Sequence, residues 1–214
     1  MEILHIEARK KFGKINWKAL DELNLEQVSL AASIQYLDLL DEVKNYLEGK
    51  GVNVIIKKGA FHDGQVLGCN ANAFDSDAKS LLLLCDGKFH ATNNAIRLNR
   101  EILIFNGEEV TKFDEKEMEK IKSKIKGKQM KFLSSKTIGL LVSTKIGQES
   151  KAYLKIAEKI EKINKNVYIF LTDNIDVREF DNFNYIDFWV NTACFGLGLD
   201  SLGVINLQDI LEFI

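Results

Sequence analysis

Short, nearly continuous runs of apolar residues alternate along the chain with longer stretches in which apolar residues recur every three or four positions. The runs have the length of β-strands, and the periodic stretches have the spacing of amphipathic helices. Strands that are apolar throughout are typical of parallel sheets covered by helices on both faces. The predicted strands are VSLAAS (28–33), NVIIKK (53–58), SLLLLC (80–85), EILIF (101–105), TIGLLVST (137–144), NVYIFLTD (166–173) and YIDFWVNTAC (185–194).

Helical spacing separates these strands, and the order of elements recurs in two halves of the chain. Helices are predicted at 38–51, near 94–98, at 112–132 and at 149–164. We therefore predict an α/β fold of two tandem βαβαβ-type parallel-sheet domains with helices on both faces. The predicted division is a first domain at 1–111, a bridging helix at 112–134 and a second domain at 135–214.

Composition fits a globular protein that buries a sizeable core. The chain has 214 residues, of which 46% are hydrophobic and 28% charged, and its net charge is −2. Such a charge gives no broad basic field for nucleic acid or an anionic membrane, so neither is an expected partner. Lysines cluster at 120–131, but Glu115, Glu117 and Glu119 precede them, which indicates a solvated helix face. No apolar run reaches the roughly 18 residues that a membrane-spanning helix requires.

The three cysteines are the first candidates for chemistry. Their odd number and the N-terminal sequence MEILHIEARKK, which has no export pattern, predict a cytoplasmic protein without a disulfide framework. Cys85 and Cys194 end predicted strands, and Cys69 follows one in the loop GQVLGC (64–69). Ligands of open parallel sheets bind outside the carboxyl ends of the strands, where all three thiols could lie. Packing of each cysteine as a small core residue is the alternative.

Two further segments are weaker candidates for ligand binding. STKIGQ (143–148) runs from a strand toward a predicted helix N-terminus, where exposed N–H groups could hold a carboxylate or phosphate. A simple capped turn explains the same residues equally well. GLGLDSLG (196–203) is only loosely similar to a phosphate-binding glycine run. The residues alone therefore predict a two-part α/β protein with a binding edge and no named reaction.

Several stretches, taken in order, resemble the diphthamide-synthesis family, the 2-(3-amino-3-carboxypropyl)histidine synthase subunits. They are DLLDEVKNYLEGKGVNVII, GQVLGC, CDGKFH, LLVSTKIGQ and IDFWVNTAC. The resemblance implies similar α/β domains around a 4Fe–4S cluster, each of three domains supplying one cysteine. It also implies cleavage of S-adenosylmethionine and transfer of a 3-amino-3-carboxypropyl radical to a histidine of translation elongation factor two. By motif, Cys69 and Cys194 match the second and third cluster cysteines.

The chain departs from the family pattern in three places. It begins where the family's second domain begins, so the first domain and its cysteine are expected to be missing. Phe195 and Gly196 follow the last cysteine, where the family usually has Pro-Arg. Cys85 stands where the family usually has glycine. The loop residues Lys145, Gly147 and Gln148 are predicted, from strand-end geometry and the resemblance, to help place the methionine moiety.

These departures leave several functions open. Cys69, Cys85 and Cys194 could together hold a cluster within one chain. The alternatives are a cluster completed by another protein, by a non-protein ligand or with only two of these cysteines, and a cluster-free descendant. The corresponding functions are an aminocarboxypropyl transferase, a non-catalytic truncated subunit or scaffold in a homo- or hetero-oligomer with a family member, and a cluster enzyme with a small-molecule substrate.

Overall fold

The computed structural model describes residues 6–68 and 70–214. The chain forms two compact units, Met1–Met118 and Glu119–Ile214. Each unit contains one β-sheet with its own hydrophobic core. Within the described residues, no helix is both long enough and apolar enough to cross a lipid bilayer.

The first unit is built on a five-stranded sheet. Its strands are β1 (Gln27–Ala32), β2 (Asn53–Ile55), β3 (Ser80–Leu84), β4 (Ile102–Phe105) and β5 (Val110–Phe113). Its helices are α1 (Lys18–Asp21), α2 (Leu37–Gly49) and α3 (Phe89–Leu98), and α4 (Glu115–Ser134) begins in this unit. The strand order is β2-β1-β3-β4-β5. The first four strands are parallel, which agrees with the prediction.

Burial explains why the central strands of this sheet are apolar. Residues 28–32 of β1 and 81–84 of β3 are buried, because helices cover a sheet whose strands pair on both sides. The apolar stripe of α2 faces the same core through Leu39, Val43 and Leu47. The carboxyl ends of β1 and β3 therefore lie side by side at one edge of the sheet.

Strand β5 was not predicted. It pairs antiparallel with β4 through a short turn in which the Asn106 side chain accepts hydrogen bonds from the backbone of Glu108 and Glu109, both at 2.9 Å. Gly107 adopts φ +95°, a conformation that favours glycine. The helix predicted from residue 112 consequently begins at Glu115, because residues 110–113 belong to this hairpin.

The second unit repeats the strand order of the first. Its strands are β6 (Thr137–Ser143), β7 (Asn166–Thr172), β8 (Phe188–Asn191) and β9 (Val204–Asn206), with helices α5 (Tyr153–Glu161) and α6 (Phe195–Asp200) and 3₁₀ helices at Val177–Asn182 and Leu207–Phe213. All pairs are parallel in the order β7-β6-β8-β9, which matches β2-β1-β3-β4. This shared order supports the predicted internal repeat.

One face of the second sheet carries an aromatic cluster around Trp189. The indole stacks on Phe180 with ring centroids 4.2 Å apart and contacts Phe170 edge-on at 4.7 Å. Gly139, on the neighbouring strand β6, lies directly under the indole. The outer edge of β7 has a different character: no described strand pairs with it, and Leu171 is 57% exposed.

Candidate functional site

The loop that leads to Cys69 follows β2 and hydrogen-bonds to the carboxyl end of the neighbouring strand β1. The Ala32 N–H donates to the Gly64 carbonyl at 2.8 Å, and Gly64 adopts φ +71°. A Cβ on Gly68 would lie 2.8 Å from Cε1 of Phe89. The backbone therefore requires glycine at 64 for its conformation and favours glycine at 68 for the close approach. Cys69 itself lies outside the described residues.

Two buried asparagines of α3 donate hydrogen bonds to the backbone of this loop. The Asn93 side-chain amide donates to the Gly68 carbonyl, and the Asn94 amide donates to the Leu67 carbonyl at 3.4 Å. The Asn94 amide also donates to the His90 carbonyl at 2.6 Å. Both asparagines are at most 1% exposed, and the Oδ1 atom of each has no hydrogen-bond partner within the part of the chain that the structure describes. The sequence prediction did not include either residue.

Cys85 lies one residue beyond β3 at the same edge of the first sheet. Its side chain is buried, and the Sγ–H group donates to the Gly87 carbonyl at 3.3 Å. Burial, with a smaller contribution from the Asp86 carboxylate, raises the pKa of the Cys85 thiol to about 12. In this conformation the thiol is a packed core group, so ligation of a metal would require it to leave Gly87 and deprotonate.

A polar cluster lies beside Cys85 at the same edge. The Tyr36 hydroxyl donates to the Asp86 carboxylate, and the Lys10 ammonium donates to Tyr36 Oη at 2.8 Å and to Asp86 at 3.0 Å. Desolvation first, and then the Asp86 carboxylate, raises the pKa of Tyr36 to about 12. The Tyr36 hydrogen bond is the main cause that lowers the pKa of Asp86. No sequence motif marked this cluster, since its members are separated by up to 76 residues.

Cys194 has the opposite environment from Cys85. It lies three residues beyond β8, directly before α6, and its side chain is exposed. The strand predicted at 185–194 is shorter in the structure and ends at Asn191. The side-chain amide of Asn191 donates to the Cys194 carbonyl at 2.8 Å. The buried Asn206 amide donates to the Phe195 carbonyl at 3.1 Å. The residues around Cys194 are thus fixed by hydrogen bonds, while the thiol is open to solvent.

The loop after β6 carries the residues predicted to place a methionine moiety. Lys145, Gly147 and Gln148 are all exposed, and the Gln148 N–H donates to the Lys145 carbonyl at 3.0 Å. The Lys145 ammonium donates to the Asn174 side chain, so its charge is directed along the loop. The helix predicted at 149–164 begins later, at Tyr153, so residues 149–152 separate this turn from α5. The binding role of the three residues stays a prediction.

The glycine-rich segment after Cys194 is not a phosphate loop. Residues 195–200 form α6, and a Cβ on Gly198 would lie 2.2 Å from Oδ1 of Asn206. Gly198 therefore permits close packing of α6 against β9.

Two of the three predicted cluster ligands lie in different units. Cys85 belongs to the first unit and Cys194 to the second. Among residues 6–68 and 70–214, no three His, Cys, Asp or Glu side chains are grouped so that they could hold a metal ion. A ligand set of Cys69, Cys85 and Cys194 therefore stays a prediction.

Comparison with known families decides the relationship that the motifs suggested. The family model described as "Putative diphthamide synthesis protein" matches residues 1–203 of the chain. The chain belongs to the diphthamide-synthesis family. The match includes the GQVLGC loop, Cys85 and the VNTAC segment, so the family assignment covers both units.

Two curated relatives of this family are similar over much of the chain. The 2-(3-amino-3-carboxypropyl)histidine synthase of Pyrococcus horikoshii is 26% identical over 182 residues, which cover 83% of this chain and 52% of the relative. Subunit 1 of the synthase of Yarrowia lipolytica is 29% identical over 145 residues, which cover 64% of this chain and 32% of the relative. The chain therefore spans about half the length of the Pyrococcus relative and about a third of the length of the Yarrowia relative.

Two solved structures have the same fold. A crystal structure of Dph2 from Pyrococcus horikoshii aligns with a TM-score of 0.82 and 22% identity, covering 93% of this chain and 62% of that one. A crystal structure of the same protein with a 4Fe–4S cluster aligns with a TM-score of 0.79 at 22% identity, covering 89% and 57%. At this level of identity the likeness confirms the α/β fold of two sheet-based units.

Proposed function

We propose that this chain acts in a diphthamide-synthase-type reaction as an iron–sulfur protein. In that reaction a 3-amino-3-carboxypropyl group passes from S-adenosylmethionine to a histidine of translation elongation factor two. The observation that carries the proposal is the family match over residues 1–203, which contains both the GQVLGC and the VNTAC segments. The Dph2 relative crystallised with a 4Fe–4S cluster supports the choice of cofactor.

The proposed cluster ligands are Cys69, Cys85 and Cys194, and they fit that role unequally. Cys194 fits, because an exposed thiol follows a strand end and its neighbouring carbonyls are already held by asparagines. Cys85 does not fit in the described conformation, because its thiol is buried and bonded to Gly87. When bound, a cluster held by three thiolates offers an open iron and an electron for cleavage of the sulfonium substrate.

The exposed loop after β6 would contribute to substrate binding in this proposal. The Lys145 ammonium could pair with the carboxylate of the methionine moiety once it exchanges its bond to Asn174. The turn at Gly147, with φ +83°, holds the Gln148 side chain in the same exposed loop.

The test is anaerobic reconstitution with iron and sulfide, followed by measurement of iron content and visible absorption. We expect a brown protein with broad absorption that loses its iron in Cys69→Ser and Cys194→Ser variants. If Cys85→Ser loses iron to the same degree, all three ligands come from this chain. If it keeps its iron, the third ligand comes from elsewhere. A colourless, iron-free wild type, alone and with a full-length family member, contradicts the proposal.

A second candidate function is a non-catalytic subunit that pairs with a full-length family member. The chain covers 52% of the Pyrococcus relative, and its described residues contain no group of three potential metal ligands. Gel filtration with and without the full-length relative tests this candidate, with product analysis after addition of S-adenosylmethionine and dithionite. A complex in which only the relative cleaves the substrate supports it, and the absence of a complex contradicts it.

A further inference from the structure

Each of the two units buries a pair of asparagines against the backbone beside a family-motif cysteine. In the first unit, the amides of Asn93 and Asn94 donate to the carbonyls of Gly68 and Leu67, the two residues that precede Cys69. All of these contacts lie within one unit. The donors come from α3, and the acceptors lie in the loop between β2 and β3.

The second unit has the same arrangement built from strands. The Asn191 amide donates to the Cys194 carbonyl at 2.8 Å and the Asn206 amide to the Phe195 carbonyl at 3.1 Å. The Asn191 amide also donates to Asn206 Oδ1 at 2.8 Å, and Asn191 Oδ1 accepts from the Ala193 N–H at 2.9 Å. Each side-chain nitrogen and oxygen of this pair therefore has at least one hydrogen-bond partner, and both members are at most 2% exposed.

The Asn93–Asn94 pair of the first unit is less completely hydrogen-bonded. Asn93 and Asn94 are fully buried, yet among residues 6–68 and 70–214 the Oδ1 atom of each has no hydrogen-bond partner. A buried acceptor without a donor destabilises the folded state, and an apolar residue of similar size at the same position avoids that penalty. Packing alone therefore does not explain two adjacent asparagines on the buried side of α3. The hydrogen bonds that their amides make to the loop do explain them.

We propose that Asn93, Asn94, Asn191 and Asn206 are positioning residues. The first pair fixes the backbone of the two residues that precede Cys69, and the second pair fixes the backbone at Cys194. Each pair holds two consecutive carbonyls, those of residues 67 and 68 in the first unit and those of residues 194 and 195 in the second, so each restrains the chain next to a cysteine. Groups around a metal ligand commonly orient that ligand before the metal binds. The consequence for a cluster rests on the proposed function. The ordering of the cysteine loops does not, and it is testable without iron.

The first test uses the iron-free wild-type chain and an Asn93→Leu variant. Iodoacetamide labels both proteins at pH 8, and mass spectrometry follows Cys69 and Cys194 separately. We expect the ratio of the Cys69 rate to the Cys194 rate to rise at least threefold in the variant, because its loop has lost an anchor. Asn191→Leu is expected to change the same ratio at least threefold in the opposite direction.

Controls separate positioning from a general loss of structure. Thr92→Ala changes the adjacent residue of α3, whose hydroxyl bonds only to the Lys88 carbonyl, and should leave the ratio unchanged. Asn93→Leu removes an unsatisfied buried acceptor but also the amide that donates to the Gly68 carbonyl. These two effects oppose each other, so the melting temperature should change little. If the Asn93→Leu variant does not fold, Asn93→Ala is used instead, because it likewise removes the side-chain amide that donates to the Gly68 carbonyl.

The proposal is overturned if the ratio of the Cys69 rate to the Cys194 rate changes less than threefold in both Asn93→Leu and Asn191→Leu. It is also overturned if Thr92→Ala changes that ratio as much as Asn93→Leu does. A second readout follows reconstitution with iron: the electron paramagnetic resonance spectrum of the dithionite-reduced Asn93→Leu protein should differ from that of the wild type. An identical spectrum counts against positioning. If the wild type takes up no iron, the proposed function fails, while the labelling ratios still decide the asparagine proposal.

Discussion

Replacing Gly139 by alanine should destabilise the second unit through a single contact. A Cβ at this position would lie 2.3 Å from Cε3 and 2.4 Å from Cζ3 of Trp189. The indole cannot retreat easily, because Phe180 stacks on it at 4.2 Å and Phe170 contacts it at 4.7 Å. Overpacking of a core costs about 1–3 kcal/mol, and the confined indole places this change near the upper end.

The expected loss is therefore about 3 kcal/mol in the free energy of unfolding. For a chain of this size, each kcal/mol corresponds to about 2–4 °C, so the melting temperature should fall by about 6–12 °C. Urea unfolding followed by far-ultraviolet circular dichroism measures the free energy, and a thermal scan measures the midpoint. Circular dichroism is preferred to tryptophan fluorescence because the reporter is part of the contact.

The matched control is Gly127→Ala in α4, where an added Cβ meets no atom within 4 Å. Alanine favours a helix interior over glycine by about 1 kcal/mol, so this variant should gain stability. In a Trp189→Leu background, Gly139→Ala should cost less than about 1 kcal/mol, since the opposing indole is gone. A cost that persists in that background, or a cost below about 1 kcal/mol in the wild type, refutes the reasoning.

Two further predictions concern the edge that carries the candidate chemistry. Tyr36→Phe should raise the pKa of Asp86, because the Tyr36 hydroxyl is the main cause of its lowering. The ionised Asp86 carboxylate stabilises the fold above its unfolded pKa, and this stabilisation is lost as the pH falls through its folded pKa. Because the folded pKa is higher in the variant, the stabilisation should be lost at a higher pH than in the wild type. Carboxyl NMR titration measures the pKa shift. Iodoacetamide at pH 8 should label the exposed Cys194 far faster than Cys85, since burial shields the Cys85 thiol and raises its pKa to about 12, so that it stays protonated at that pH. Comparable rates would show that Cys85 is not buried in solution.

The sequence predicts the parallel strands well, because a strand buried on both faces must be apolar along its whole length. SLLLLC is the clearest example, with residues 81–84 all buried in β3. The antiparallel β5 escapes this logic. VTKF has only one buried residue, Phe113, so its pattern is compatible with the start of the polar helix that follows. Pairing with β4 decides its conformation, and that contact is not encoded in local periodicity.

The candidate site is predictable only in part, for a similar reason. Glycines 64 and 68 indicated a tight loop before Cys69, and the structure confirms the close approaches that they permit. The environment of Cys85 depends on how deeply the end of β3 lies in the core, which spacing does not reveal. The polar residues Asn93 and Asn94 inside a helix were a visible signal of the anchoring contacts, but their partners lie in a different loop.

The bare margin of β7 has a practical consequence for handling the protein. A seven-residue apolar strand without charge, bulge or proline along its open side is a template onto which any extended polypeptide can add. Concentrated preparations should therefore tend to polymerise through this margin. A lysine in place of Leu171, which is already turned toward solvent, should improve solubility with little effect on folding.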